Sequence, residues 1–273
     1  MNVRAIITST LVSLSILTCS ASNFQSQFKQ DEYVYKTFFK DMKTMGIFMD
    51  IGAHDGKWFS NTFFFEKELG WKGICIEPIP HVFNTLKINR DCVCINGCIT
   101  NFAGTAQFLL TAPSSNHIHG DSKKASCHPL DMLSGLICKM NPQAQKTLAK
   151  NKNSCTISVP CYTFNDVIKS HNINHINFLS IDTEGGEIDI IKSIDFNNIC
   201  IDVITVEANY LDRRKEIFQY MLTKNYVWIN KLGPDDLYCR SDFPNLKEIT
   251  ETRKLADIPS AIKTQKIKGA KKR

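Results

Sequence analysis

The sequence predicts an α/β fold, with a mostly parallel central sheet and helices on both faces. Three observations lead there. Short continuous apolar runs recur after residue 45, helical stretches separate most of them, and acidic residues recur where the runs end. A strand covered on both faces never meets water, so it reads as a continuous apolar run rather than an alternating one.

The predicted strands are Ile47–Ile51, Gly73–Glu77, Cys92–Asn96, Phe178–Asp182, Ile201–Glu207 and Tyr226–Asn230. Between most of them fall the predicted helices Thr62–Leu69, Pro80–Ile88, Phe164–Ser170, Glu187–Ile194 and Arg213–Lys224, with a further helix over residues 31–43. The polar stretch from Thr111 to Asn153 shows little strand periodicity, although "NPQAQKTLAKN" predicts a short helix begun by Pro142. A connection of that length is a functional lid or a disordered insertion, and it would hang over one edge of the sheet. The organisation expected is a signal peptide over 1–21, a lead helix within 22–45, one domain over 46–247 with an insertion at about 111–153, and a basic tail over 248–273.

The formal charge of +6 matches the five Lys and one Arg of residues 263–273, a segment without acids. The body is therefore near neutral and shows no basic face for nucleic acid. At the other end, Arg4 precedes an apolar run from Ala5 to Leu17, and Cys19 and Ala21 then suit a signal-peptidase site. This order predicts entry to the secretory pathway and a secreted or periplasmic/lumenal protein. An uncleaved, membrane-tethering anchor is the alternative, and no other segment could cross a bilayer. Cys75, Cys92, Cys94 and Cys200 lie in or beside apolar runs and are expected to be buried thiols. Cys127, Cys138, Cys155 and Cys161 are the better disulfide candidates. Without a C-x-x-C pair, no metal site is expected.

The acids at the strand ends are Asp50, Glu77, Asp182 and Glu207. A buried strand end is a costly place for a carboxylate unless something uses it, so four in one layer predict a ligand crevice. In "FMDIGAHDG", Gly52 and Gly56 let the backbone approach a ligand and turn into the next helix. Glu77 follows Gly56 by 21 residues, the reach of an acid that accepts hydrogen bonds from ribose hydroxyls. A pyrophosphate needs bare amides in a G-x-G-x-x-G loop. Here His54 and Asp55 occupy the middle, which disfavours a nucleotide-dependent oxidoreductase. Asp55 would repel a diphosphate but suits a cationic, phosphate-free nucleoside, and S-adenosylmethionine meets that description.

"FMDIGAHDG", "GICIEP", "CINGCITN" and "FLSIDTEGGEIDIIKS", in that order, resemble the FkbM-type class I methyltransferases. "SQFKQDEYV" and "SNTFFFEKELGWKG" are similar to a subgroup in which both segments flank the nucleoside loop. The resemblance covers roughly residues 26–231, and D-x-E-G-x-E at 182–187 is its most specific element. It implies a Rossmann-like sheet, S-adenosylmethionine as cofactor, and O-methylation of a sugar or other hydroxyl on a small-molecule or glycan acceptor. It further implies that Asp50, Gly52, Ala53, Asp55 and Gly56 form the loop under the methionine part, and that Glu77 holds the ribose. Asn96 and the Cys98–Ile99 backbone would border the adenine, with a turn role for Asn96 as the alternative. Asp182 and Glu184 would face the transferable methyl as candidate bases, with His54 a weaker one. Glu187 is expected in the first turn of a helix, where its charge complements the dipole. Glu207 is either a pocket residue or a paired acid. The rival to an enzyme is a secreted, non-catalytic relative using the same fold as an interaction module.

Overall fold

The computed structural model describes residues 23–111, 129–150 and 154–251. The expected signal peptide, the first part of the insertion and nearly all of the basic tail lie outside the described residues. Among the described residues no helix is long and apolar enough to cross a membrane.

Eleven strands form two sheets: β1 (Ile47–Ile51), β2 (Lys72–Glu77), β3 (Val93–Asn96), β4 (Cys98–Thr100), β5 (Gly104–Thr111), β6 (Gly135–Leu136), β7 (Ser154–Thr163), β8 (His175–Ile181), β9 (Cys200–Glu207), β10 (Tyr226–Leu232) and β11 (Asp235–Arg240). The main sheet has the order β10-β11-β9-β8-β1-β2-β3. Its core is parallel, while β11 runs antiparallel to both β9 and β10. The chain steps outward from β1 to β3 and returns to β8 on the other side of β1. That reversal opens a crevice at the C-terminal ends of β1 and β8, where open α/β sheets bind ligands.

Helices cover both faces, as the continuous apolar strands require. On one face α5 (Phe164–Ser170), α6 (Glu187–Ser193) and α7 (Leu211–Thr223) pack Phe164, Ile191 and Met221 onto Met49, Leu179 and Ile204. On the other, α1 (Gln30–Val34), a π-turn at Tyr35–Phe39, α2 (Phe63–Lys67) and α3 (Pro80–Asn89) enclose an aromatic core of Phe39, Phe48, Phe65, Trp71 and Phe178. The single lead helix expected over 31–43 is thus a shorter α-helix running into the π-turn. A last short helix, α8 (Leu246–Glu251), rests its half-buried Leu246 and Ile249 on the same aromatic face.

The second sheet, β4-β7-β5-β6, corrects the reading of the region before and after the insertion. Strand β5 pairs antiparallel with β7 along all of β5, from Gly104↔Cys161 to Thr111↔Ser154, so the insertion grows from the tip of a long ribbon. Within it the Pro142-initiated helix is present as α4 (Pro142–Ala149), capped by the Asn141 side chain. The small sheet buries Phe108, Leu110, Leu136 and Val159 against Ile79 and Val82 of the β2–α3 junction. It therefore forms a wall of the crevice.

The described cysteines are all free. Cys138 and Cys155, two of the expected disulfide partners, are exposed. Cys200 is exposed rather than buried, because it opens β9 at the solvent end of the sheet.

Candidate active site

The loop after β1 is folded by its own polar groups. The N–H groups of Gly52 and Ala53 both donate to the Ile76 carbonyl, tying the loop to β2. Gly52 has φ +87°, and a Cβ there would stand 1.7 Å from the Asp182 carbonyl oxygen. Only glycine lets the ends of β1 and β8 approach this closely. Gly56, at φ +77°, is required for a different reason: a Cβ would strike Leu86 of α3 at 2.4 Å.

Asp50 ends β1 inside a buried network. It accepts from Thr62 Oγ1 at 2.6 Å and Ser60 Oγ at 3.4 Å. Arg90, with its side chain fully buried, donates to Glu66 at 2.6 Å, to the Gly56 carbonyl at 3.0 Å, and to the hydroxyls of Ser60 and Thr62. Burial raises the Asp50 pKa, and Arg90 opposes that rise. Asp55 caps its own turn, Oδ1 accepting from the N–H groups of Lys57 and Trp58, and it does not face the cavity. Asn96 donates to the carbonyls of Glu77 and Pro78, the bracing role of a turn residue.

A crevice with about 820 Å³ of empty space, open solvent included, lies above β1, β2 and β8. Gly52, Glu77, Ile79, Cys98, Ile99 and Phe108 line one side, and Asp182 and Glu184 the other. Glu77 accepts from the N–H groups of His54 at 3.0 Å and Ile79 at 2.8 Å, and burial pushes its carboxyl up to about 7. His54, at φ +49°, has both ring nitrogens buried without hydrogen-bond partners, Nδ1 lying 4.0 Å from Asp55 Oδ1, and burial lowers its pKa. Lys139 also borders the cavity, but it is paired with Asp189 at 2.7 Å. Ala53 and Asp50 border a second, adjoining crevice with about 510 Å³ of empty space, open solvent included.

Asp182 and Glu184 on the far wall belong to an acid cluster that continues behind it to Glu207. Carboxylate oxygens of Asp182, Glu184 and Glu207 lie within 4.8 Å of one another. Burial, then the charges of Glu207 and Asp235, push Asp182 well above the usual carboxylate range. Burial and Asp182 raise Glu184 to about 8, and burial and Glu184 raise Glu207 to about 9. Among the described residues none of these three acids forms an ion pair with Lys or Arg. Glu184 holds φ +58°, in a loop fixed by Glu187, which accepts from the Thr183 and Gly185 N–H groups and the Thr183 hydroxyl. Glu187 does open α6 as expected, but it organises the loop as well.

Residues 50–228 match the family model for the FkbM methyltransferase domain. The chain belongs to this family. Its seven-stranded sheet with a single antiparallel strand is the class I methyltransferase fold. Similar solved structures include the FkbM methyltransferase from Methylobacillus flagellatus KT, at 12% identity and TM-score 0.41, covering 77% of this chain and 50% of that one. The METTL16 methyltransferase domain aligns at 11% identity and TM-score 0.39, covering 77% of this chain and 66% of that one. The N-terminal domain of human METTL16 in complex with SAH aligns at 10% identity and TM-score 0.39, covering 78% and 67%. The chain thus spans two thirds or less of the length of most of these structures. No curated protein matches it.

Two contributors to the site carried no separable signal in the sequence. Arg90 reads as an ordinary helix end, and its partner Glu66 lies 24 residues earlier. Asp235 and Asp236 read as a turn after Gly233–Pro234, yet both are buried and Asp235 stands opposite Glu207.

Proposed function

We propose that this protein transfers a methyl group from S-adenosylmethionine to a hydroxyl oxygen of a sugar or other small-molecule or glycan acceptor. The observation that carries the reading is the pairing of a loop turned by Gly52 and Gly56 with an acid-lined cavity. The residues fit that cofactor. Glu77 offers a buried carboxylate to ribose hydroxyls, and Ile79, Cys98, Ile99 and Phe108 offer an apolar slot to an adenine. Among the described residues, the one lysine lining the cavity is already paired with an acid. A sulfonium beside Asp182 and Glu184 would lower the cost of their ionisation.

When bound, the cofactor supplies an electrophilic methyl on a good leaving group. The protein's part is then to position the acceptor and receive its proton. Asp182 and Glu184 are the groups we assign to that task, with Glu207 sharing the proton through their close contact. Radiolabelled S-adenosylmethionine with hydroxylated acceptors tests the reading. Asp182→Asn keeps the shape of the side chain and removes its basicity, so turnover should fall by about 10²–10⁴. Full turnover in that variant would move the role to Glu184. Failure of the wild type to bind S-adenosylmethionine at all would favour the non-catalytic relative.

A further inference from the structure

The ends of β8 and β9 remote from the cavity bring together a different set of side chains. The two strands are parallel neighbours, and His175 stands in register with Cys200. Residues i and i+2 of a strand share a face, so Asp202 projects on the same side as Cys200. An imidazole, a thiol and a carboxylate thus converge, each placing one ligand atom within 4.8 Å of the other two.

Asp202 is the fixed point of the group. It is buried, Oδ1 accepts from Arg240 Nε at 2.7 Å, and Oδ2 accepts from Asn177 Nδ2 at 2.8 Å. Asn177 is itself aimed by the Ile47 N–H, which donates to its Oδ1 at 2.8 Å. A carboxylate oxygen has two lone pairs, so each oxygen of Asp202 keeps one after these bonds. His175 Nε2 lies 3.0 Å from Asp202 Oδ2, yet it is buried and makes no hydrogen bond. The distance suits a hydrogen bond and the direction does not, which is the relation of two ligands to one ion. The Cys200 thiol reaches Asp202 Oδ1 at 4.0 Å. Ligands of one tetrahedral zinc lie about 3.3–3.6 Å apart, so a small turn of the exposed Cys200 side chain completes the set.

We propose that His175, Cys200 and Asp202 form a zinc site at the end of the sheet opposite the cavity. Mixed nitrogen, sulfur and oxygen donors suit zinc, whereas magnesium and calcium take oxygen alone. Arg240 is divided between Asp202 and Asp242, at 2.7 Å from each, so one acid charge stays unneutralised beside the thiol. Lys224, the other cation of the crevice that Cys200 lines, lies over the rings of Phe196 and Tyr220. That crevice is the entry path. Zinc binding releases the thiol proton to solvent. A Cys–His–Asp group could instead be a nucleophile, but partial desolvation raises the Cys200 pKa against the pull of Arg240. Nothing in the chain itself makes this thiol a thiolate. The expectation against a metal rested on C-x-x-C spacing, and these ligands come from separate strands.

Cobalt(II) chloride and zinc chloride, titrated into the full chain, test the site. Cobalt should bind at one equivalent with a near-ultraviolet thiolate-to-metal band, and zinc should displace it. Cys200→Ala should abolish the band. His175→Ala keeps the thiol, and it should weaken zinc by more than the about 10–100-fold that loss of a ligand's supporting partner costs. An unchanged metal-free melting temperature shows that each variant is folded. Removing the exposed thiols Cys138 and Cys155 together should leave the band in place, as should Asp182→Asn in the oxygen-only acid cluster. A band that survives Cys200→Ala, or one lost with Cys138 and Cys155, overturns the proposal. So does a wild type with no saturable cobalt binding, which would make Asp202 the hub of an ion-pair network and nothing more.

Discussion

Two groups of acids, one buried and the other partly half-buried, sit at the same edge of the sheet, and the protein treats them oppositely. At the ends of β1 and α2, Asp50 and Glu66 surround Arg90, whose donors are taken up by Glu66, Gly56, Ser60 and Thr62. At the ends of β8, β9 and β11, Asp182, Glu184, Glu207 and Asp235 crowd together, and among the described residues none of them is paired with an arginine. Where the chain neutralises its buried acids internally, it is building a rigid loop. Where it leaves them unneutralised, their raised pKa values store a preference for a bound cation or for protons. Acid residues at strand ends therefore divide into scaffold and site according to whether a cation within the fold reaches them.

The largest effect that would break this contrast comes from Arg90. Arg90→Met leaves Asp50 buried without a countercharge, leaves Glu66 with Lys67 alone at 3.2 Å, and removes the side-chain donor to the Gly56 carbonyl. Breaking a buried pair by removing one partner costs about 3–5 kcal/mol, and urea denaturation should show a loss of that size. A loss below about 1 kcal/mol would mean that water already reaches these acids, and the scaffold side of the contrast would fall.

Glu77 lies between the two groups and sharpens the comparison. It is buried like the scaffold acids, yet it lines the cavity, and its carboxyl is raised to about 7. Glu77→Ala should weaken S-adenosylhomocysteine by about 1.5–3 kcal/mol, the range for hydrogen bonds to a charged group. It should also cost stability, since the His54 and Ile79 N–H groups lose their acceptor. Unchanged affinity in calorimetry would make Glu77 a loop brace only.

How much of this was legible beforehand depends on where the partner of each residue lies. Strand β1 and helix α5 were read from local pattern to the residue, because apolar runs and the Thr163 cap are local signals. The strand-end acids were legible for the same reason. Their division was not. Asp50 and Asp182 look alike in sequence, and only Arg90, 40 residues from Asp50 in the chain, separates them. The β5–β7 ribbon was missed because Pro160 reads as a strand breaker and its outer face is polar. Strand β11 was missed because its first two residues are adjacent aspartates. They are buried only because Trp228 and Arg214 bond Asp236 while Gln30 bonds Asp235. Each is a contact distant in sequence that periodicity cannot express.

The smallest expected effect tests the site side of the contrast through pH. Glu207 has a folded pKa of about 9 against an ordinary value of 4.5, raised by burial first and then by Glu184. Between those values the unfolded chain has released the proton that the folded chain keeps. Folding therefore takes up a proton, and stability falls as pH rises. The penalty is absent below pH 4.5, grows through neutrality and is complete above about pH 9. Glu184, raised to about 8, adds a slope of the same sign over a narrower window. The ligand-free protein should accordingly melt at a lower temperature at pH 8 than at pH 5. Glu207→Gln is neutral throughout, so it should flatten that slope and stabilise the protein at pH 8 by about 0.5–2 kcal/mol, the gain usual when a strained functional group is removed. For a domain of this size that is a shift of about 2–4 °C per kcal/mol. S-adenosylmethionine should flatten the wild-type slope in the same way, by bringing its positive charge to the cluster. A Glu207→Gln protein that is less stable than wild type at pH 8 would show that the cluster already has a countercharge, and the two acid groups would then be alike.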